Sequence, residues 1–170
     1  GEDIYASATP SEEVSSLRTS TAEIETFLVD NAASKDVAVG GYDAYEVSFT
    51  LKPQFEGKTK VTLCNACGEK FSLEFDTENM TVLADRSESG KMTRIKSFVL
   101  MPAAPLGLCN SSDGYDVDVF VDKCSVEVFV DGGRIAMTNL VFPSESFDNI
   151  VFESTGESEI SNMFIHKIGK

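Results

Sequence analysis

Residues 118–133 read DVFVDKCSVEVFVDGG, and this stretch decides the fold class. Its first five residues, DVFVD, recur nine residues later as EVFVD, with apolar side chains at alternate positions in both copies. A period of two places successive side chains on opposite faces of a β-strand. The Asp131-Gly132 pair favours the positive φ of a tight turn. The stretch therefore predicts two antiparallel strands that continue through a turn into a third, as a meander.

The same alternation extends outward from this stretch. Residues 45–51 place four apolar side chains on one face, and residues 61–63 and 71–75 form a hairpin with its turn at 65–69. Further short β-rich runs cover residues 80–84, 94–100, 115–121, 126–130, 134–138, 150–153 and 160–168. No stretch has a convincing helical period. Many short strands without intervening helices predict an all-β fold, an antiparallel β-sandwich of two sheets of the jelly-roll or concanavalin-like kind.

Length and composition predict one compact domain. The chain has 170 residues, of which 42% are hydrophobic and 25% charged, as in an ordinary globular domain. Residues 1–16 are rich in Ser, Glu, Ala and Thr, which indicates an extended linker or docking arm, and residues 17–170 are the predicted sandwich. The first residue is Gly1 rather than Met, so we expect the chain to be a piece of a longer protein.

The charge balance excludes some partners. The formal net charge of −14 repels phosphate backbones and anionic lipid headgroups, so nucleic acid is not an expected partner. No apolar run approaches the roughly 18 residues that a membrane span requires, so membrane insertion is not expected either.

The four cysteines leave the redox compartment open. We interpret them as buried free thiols, although two disulfides in any of three pairings are the alternative. The CxxC pair lacks the second pair that a zinc ribbon needs. The four residues are Cys64, Cys67, Cys109 and Cys124.

Motifs for catalysis or metal binding are weak throughout the chain. His166 is the single histidine and no GxSxG motif occurs, so a serine triad has no support. Asp113, Asp116 and Asp118 crowd a predicted turn and make a structural Ca²⁺ the one cofactor alternative, but a solvated acidic turn explains them as well. We expect no other metal and no cofactor.

Sugars usually stack on exposed aromatic side chains, and this sequence offers few candidates for such a contact. The chain has no Trp, and its 12 Phe fall mostly on the apolar phase of strands. Tyr42 and Tyr115 are the freest rings by this pattern. We interpret both as half-buried tyrosines at strand ends, with sugar contact as the alternative.

Three segments together resemble a known family. Residues 118–133, followed by TNLVFP at 138–143, and the element DRSESG at 85–90 resemble the C-terminal β-sandwich of glycoside hydrolase family 32. The segment PSEEVSSLR at 10–18 is similar to the stretch that joins the catalytic domain to this sandwich. The resemblance covers residues 10–170 and implies two antiparallel sheets packed face to face, in agreement with the strand pattern.

The resemblance also bears on activity. It implies a parent protein that is a retaining β-fructosidase, an invertase, inulinase or levanase, located outside the cytoplasm. In that family an aspartate nucleophile and a glutamate acid lie on an N-terminal five-bladed propeller. Their motifs, Asn-Asp-Pro-Asn-Gly, Arg-Asp-Pro and Glu-Cys, do not occur in this sequence, so no catalytic residue carries over. The chain alone is not expected to be an enzyme.

We interpret the residues that carry the resemblance as structural. The residues of the DRSESG element at 85–90 are expected to form a tight turn after a strand. The alternative is that Arg86 contacts a glycan hydroxyl. In the 118–133 stretch, Glu127 points away from the side that its neighbouring valines face. If the side that Glu127 faces is buried, we expect it to pair with Arg86 or Arg134. The structural set is Asp85, Arg86, Ser87, Ser89, Gly90, Asp122, Ser125, Glu127, Phe129 and Gly132.

Two functions follow from this reading. The first is an accessory module that docks or stabilises the catalytic propeller, or helps the protein to oligomerise, and it predicts an uncovered apolar patch. The second is an independent fructan-binding module, which predicts exposed aromatic residues over a shallow groove.

Overall fold

The fold is a sandwich of two antiparallel β-sheets, as the alternation predicts. The structure is a computed structural model that describes residues 6–91, 101–109 and 112–169. The strand predicted at 94–100 lies outside the described residues. Within the described part, no helix is long and apolar enough to cross a bilayer.

Sheet A contains the predicted meander. Its strands are β1 (Arg18–Ile24), β2 (Phe27–Val29), β4 (Tyr45–Pro53), β9 (Tyr115–Asp122), β10 (Ser125–Val130), β11 (Ile135–Leu140) and β13 (Ser158–Ile168). They follow the spatial order β1-β13-β4-β9-β10-β11, with β2 also paired to β13.

Sheet B contains the predicted hairpin. Its strands are β3 (Lys35–Ala38), β5 (Lys58–Cys64), β6 (Lys70–Asp76), β7 (Thr81–Glu88), β8 (Ala103–Pro105) and β12 (Asn149–Ser154). They follow the spatial order β3-β12-β5-β6-β7-β8, in which β5 and β6 pair from Lys58↔Asp76 to Cys64↔Lys70.

The core lies between the two sheets because alternate residues of each strand point inward. Tyr45, Val47, Phe49 and Leu51 of β4 are all buried, which confirms their predicted common face. In β9 and β10 the valines take the inward positions, and the residues between them face outward. The inward side chains form one continuous hydrophobic cluster, so the sandwich closes its core within this chain.

The predicted meander is confirmed in register and in turn geometry. Strand β10 pairs with β9 on one side and with β11 on the other. Asp131, Gly132 and Gly133 have φ values of 49°, 61° and 79°, so the turn is left-handed throughout. This conformation explains why an Asp-Gly-Gly sequence follows β10.

Two short helical turns interrupt the otherwise all-β chain. A single helical turn, α1 (Glu12–Ser15), lies within the predicted extended segment, and a 3₁₀ turn covers Leu106–Leu108. The backbone and hydroxyl of Ser16 both donate to the Glu13 carbonyl, at 3.0 and 2.6 Å, which closes the turn of α1. One turn is too short for a hydrophobic period to reveal it.

Residues 6–16, here called the arm, lie against sheet A. The backbone N–H of Ala8 donates to the Gly133 carbonyl at 3.1 Å, and that of Gly169 donates to the Leu17 carbonyl at 3.1 Å. The chain is therefore hydrogen-bonded to the sandwich at Ala8, within the arm, and at Leu17, just after it. The domain boundary between residues 16 and 17 stays a prediction.

Candidate docking face

The outer face of sheet A carries two rows of side chains that cross six strands. Strand register places the residues of each row directly opposite one another, from β11 across to β1. The first row is Thr138, Glu127, Phe120, Glu46, His166 and Thr21. The second row is Ala136, Phe129, Asp118, Ser48, Phe164 and Glu23.

Four aromatic rings on this face form two pairs. The rings of Phe120 and Phe129 meet edge to face with centroids 5.9 Å apart. The rings of Phe164 and His166 stack at 6.1 Å with an interplanar angle of 13°. All four are half-buried although the face points away from the core. Ring surface on an outward face is apolar area that another molecule can cover.

One carboxylate on this face is fully buried and paired. Glu46 is 1% exposed, and it accepts hydrogen bonds from Nε and Nη2 of Arg18 at 2.8 and 2.5 Å. The bond with Glu46 raises the pKa of the Arg18 guanidinium. The shift favours the charged form of Arg18, and the pair joins β1 to β4 across β13.

A second carboxylate, that of Asp118, has no such partner. Burial, and then repulsion by Glu46, raise the pKa of Asp118 above its ordinary value. No residue of the described part donates a hydrogen bond to its carboxylate or pairs with it within 4.0 Å. A half-buried charge without a partner destabilises the isolated domain.

His166 is held in its neutral form on this face. Its Nδ1 lies 2.8 Å from Oγ1 of Thr21. Burial, and then the positive charge of Arg18, lower the pKa of the ring. The face therefore gains no positive charge from His166 near neutral pH.

A groove of about 410 Å³ separates the arm from the outer face of β9 and β10. Pro10 and Val14 of the arm line one side, and the rings of Phe120 and Phe129 line the other. The predicted structural residues Asp122, Ser125, Glu127 and Phe129 come together here. The 118–133 stretch therefore supplies an outward-facing surface as well as residues of the core.

Glu127 is half-buried in this groove. Its neighbours Val126 and Val128 face the core, so the glutamate points outward. In the described part it forms no ion pair with Arg86 or Arg134, whose Nη1 atoms donate to the Leu140 and Leu108 carbonyls at 3.4 and 3.0 Å. The expected pairing of Glu127 is therefore not present.

The 85–90 element lies elsewhere and fastens two segments together. Asp85 accepts the Ser87 N–H at 2.8 Å, and Ser89 donates through its N–H and hydroxyl to the Arg86 carbonyl at 3.1 and 2.8 Å. The Ser89 carbonyl accepts from the Phe142 N–H at 3.1 Å. A Cβ on Gly90 would overlap the Phe142 carbonyl. The geometry of the element is that of a turn that connects β7 to the segment after β11.

The two tyrosines have different environments. Tyr115 is 2% exposed and lies against Phe75 in the core, which leaves no ring face for a sugar within this chain. Tyr42 is half-buried, and the Lys167 ammonium lies 5.5 Å from its ring centroid.

Phe55, which no pattern in the sequence indicates as a candidate, is more accessible than either tyrosine ring. It is 68% exposed, and with Met80 it lines a separate groove of about 280 Å³ beyond the end of β4. Its flanking residues, Gln54 and Glu56, are both polar. The sequence around Phe55 therefore does not indicate an exposed aromatic ring.

Potential metal ligands and thiols do not form a site in the described part. No group of three His, Cys, Asp or Glu side chains there could hold a metal ion. Asp116 accepts from the Thr50 hydroxyl at 2.8 Å, and Asp113 from Ser112 at 3.3 Å. All four cysteines are free, but Cys67 and Cys124 are exposed rather than buried as expected. Burial raises the pKa of Cys109 to about 11.

Comparison with protein families gives a match over most of the chain. The family described as glycosyl hydrolases family 32 C terminal matches residues 13–167. The chain is 25% identical over 173 residues to a levanase of Bacillus subtilis (strain 168), which covers 99% of this chain and 25% of the levanase. Over 105 residues it is 31% identical to a fructan beta-fructosidase of Streptococcus mutans, which covers 60% of this chain and 7% of that protein.

Solved structures share the fold. An exo-inulinase from Aspergillus awamori superposes with a TM-score of 0.76 at 24% identity, covering 100% of this chain and 34% of the inulinase. A sucrose-6-phosphate hydrolase from Lactobacillus gasseri superposes with a TM-score of 0.72 at 19% identity, covering 96% and 31%. The chain therefore spans about a quarter of the levanase and about a third of each of these two solved structures.

Proposed function

The chain belongs to the C-terminal family of the family 32 glycosyl hydrolases, and on that premise we propose that it is the accessory, non-catalytic module of a fructan- or sucrose-hydrolysing glycosidase. Its role is to dock the catalytic five-bladed propeller and to stabilise it. The names of the relatives, levanase and fructan beta-fructosidase, support a fructan as the substrate class of the parent. The chain alone does not hydrolyse the sugar.

The observation that carries this proposal is the half-buried outer face of sheet A. Where one face of a sheet points to solvent, the side chains on that face are ordinarily polar. Here Phe120, Phe129 and Phe164 interrupt the polar phase, and the arm is bound across the same face. A stable interface needs about 800 Å² from each partner, and aromatic residues are enriched in the core of such interfaces, inside a polar rim.

The test is to supply the module and the propeller as separate polypeptides. We expect this chain, added in excess, to slow the thermal inactivation of the propeller's fructan hydrolysis, because binding stabilises the folded partner. An inactivation rate that does not change with the concentration of the chain would contradict the proposal. Size-exclusion chromatography of the chain alone tests whether the same face instead pairs two copies.

A second candidate function is direct binding of fructan, and the exposed Phe55 ring favours it. An exposed ring over a shallow groove is the feature that sugar binding predicts, and Met80 adds apolar surface at 40% exposure. Sugars present one C–H face for such a ring and hydroxyl edges for polar neighbours such as Gln54 and Glu56.

Isothermal titration of the chain with levan and with inulin tests this second function. If Phe55 is the platform, Phe55→Ala abolishes the heat of binding. Leu28→Ala removes an apolar side chain of comparable exposure, 55%, from β2 and leaves binding unchanged. No heat with either polysaccharide would remove this candidate.

A further inference from the structure

Two acids and two rings form a checkerboard on the docking face. On β9 the outward residues Asp118 and Phe120 follow each other, and on β10 they are Glu127 and Phe129. The register sets Asp118 opposite Phe129 and Phe120 opposite Glu127. Each carboxylate therefore has a ring directly across from it, at the separation at which cross-strand side chains touch.

The charges of the face are not balanced within the described residues. Four of the twelve positions in the two rows are carboxylates, those of Glu23, Glu46, Asp118 and Glu127. Arg18 is the neighbouring cation, and its two hydrogen bonds go to Glu46. Asp118 and Glu127 are both half-buried, and neither takes part in a hydrogen bond or ion pair recorded for the described part.

A metal ion is a poor occupant for this site. The described part contains no group of three side chains that could bind one, and rings alternate with the carboxylates. A guanidinium fits both features, because it bonds a carboxylate through its planar fork and stacks on an aromatic face. An ammonium would meet the charge without matching the rings as well.

We propose that the checkerboard of Asp118, Phe120, Glu127 and Phe129 receives an arginine side chain from the catalytic propeller. This inference rests on the proposed docking function and names the chemistry of the partner surface. The groove beside the arm gives the incoming side chain a route along Phe120 and Phe129 to Glu127. Asp118 lies directly opposite Phe129 in the register, at the far side of that ring. Binding would neutralise part of the negative charge that the isolated face carries.

The experiment measures the affinity of the propeller, as a separate polypeptide, for this chain and its neutral variants. We expect Asp118→Asn and Glu127→Gln each to weaken binding about tenfold, through loss of an interfacial charge pair. The matched control is Glu153→Gln, which neutralises an exposed glutamate on β12 of sheet B and should leave the affinity unchanged. Thermal unfolding of each variant checks that it is folded.

The outcomes separate the two proposals. Wild-type binding that both neutral variants retain in full overturns the arginine site and leaves docking intact. No binding by the wild-type chain overturns docking and the arginine site together. Arginine hydrochloride should compete better than lysine hydrochloride at equal ionic strength, and equal competition would contradict a guanidinium as the occupant.

Discussion

Arg18 and Glu46 form a two-pronged ion pair on the outer face of sheet A, although 28 residues separate them in the sequence. Arg18 is the first residue of β1, two residues after the end of the arm, and Glu46 lies near the start of β4. The pair therefore joins the point where the arm ends to a central strand. It also balances a carboxylate that the sheet surface buries almost completely.

Removal of Arg18 should destabilise the domain. In Arg18→Ala the buried Glu46 carboxylate loses its partner, and we expect the free energy of unfolding to fall by about 2 kcal/mol. The loss is smaller than for a fully buried pair because the Arg18 side chain is 35% exposed. Urea unfolding measures it. Lys70→Ala, which breaks an exposed pair with Glu88, is the control and should cost much less; equal losses would contradict the assignment.

Neutralising Asp118 should have the opposite effect on stability. Because burial and Glu46 raise the pKa of Asp118, folding disfavours its charged form, and this cost is fully present above the raised pKa. We expect Asp118→Asn to melt higher than wild type at about pH 7, and the difference to vanish near pH 3, where the carboxyl is protonated in both states. Melting curves across this range test it; a constant difference would contradict the cause.

The 85–90 element should depend on the absence of a side chain at Gly90. Any Cβ there would overlap the Phe142 carbonyl, and the φ of 126° is itself unfavourable for other residues. We expect Gly90→Ala to lower the free energy of unfolding by about 3 kcal/mol, as backbone strain and overpacking combine. Gly107→Ala is the control, since Gly107 has open space around it. Similar losses in both variants would refute the role of this contact.

The position of the arm should depend on Gly133. A Cβ at Gly133 would overlap the Ala8 carbonyl, whereas Gly132 has a similar positive φ and no neighbour within 4 Å. Comparing Gly133→Ala with Gly132→Ala therefore separates the clash from backbone strain. We expect hydrogen exchange at residues 6–16 to quicken only in the first variant. Equal exchange in both would show that the arm does not depend on this contact.

The sequence predicts the core of this fold well because burial imposes the alternation. Residues 45–51, the hairpin at 61–75 and the meander at 115–138 all have one face packed on the opposite sheet. Strand β1 has no such signal, since every residue from Arg18 to Glu23 is exposed and only its pairing with β13 defines it. Edge strands of this kind are selected by their neighbours rather than by their own pattern.

The docking face is harder to predict from the sequence. Phe120 and Phe129 gave a signal, because an aromatic residue stands in the polar phase of each strand. Glu46 gave none: in the sequence it is an ordinary polar residue of an alternating strand, and its burial depends on distant Arg18. Tyr115 had the same phase as Val117 and Val119, and this shared phase accounts for its burial.

Hydroxyl-radical footprinting of this chain, with and without the separately produced propeller, tests the docking face most directly. We predict that Phe120, Phe129 and Phe164 lose reactivity severalfold in the complex, while Leu83 and Val151 on the outer face of sheet B keep theirs. Protection of Leu83 and Val151 in place of the three phenylalanines, or no change at any of these five residues, would contradict docking through the outer face of sheet A.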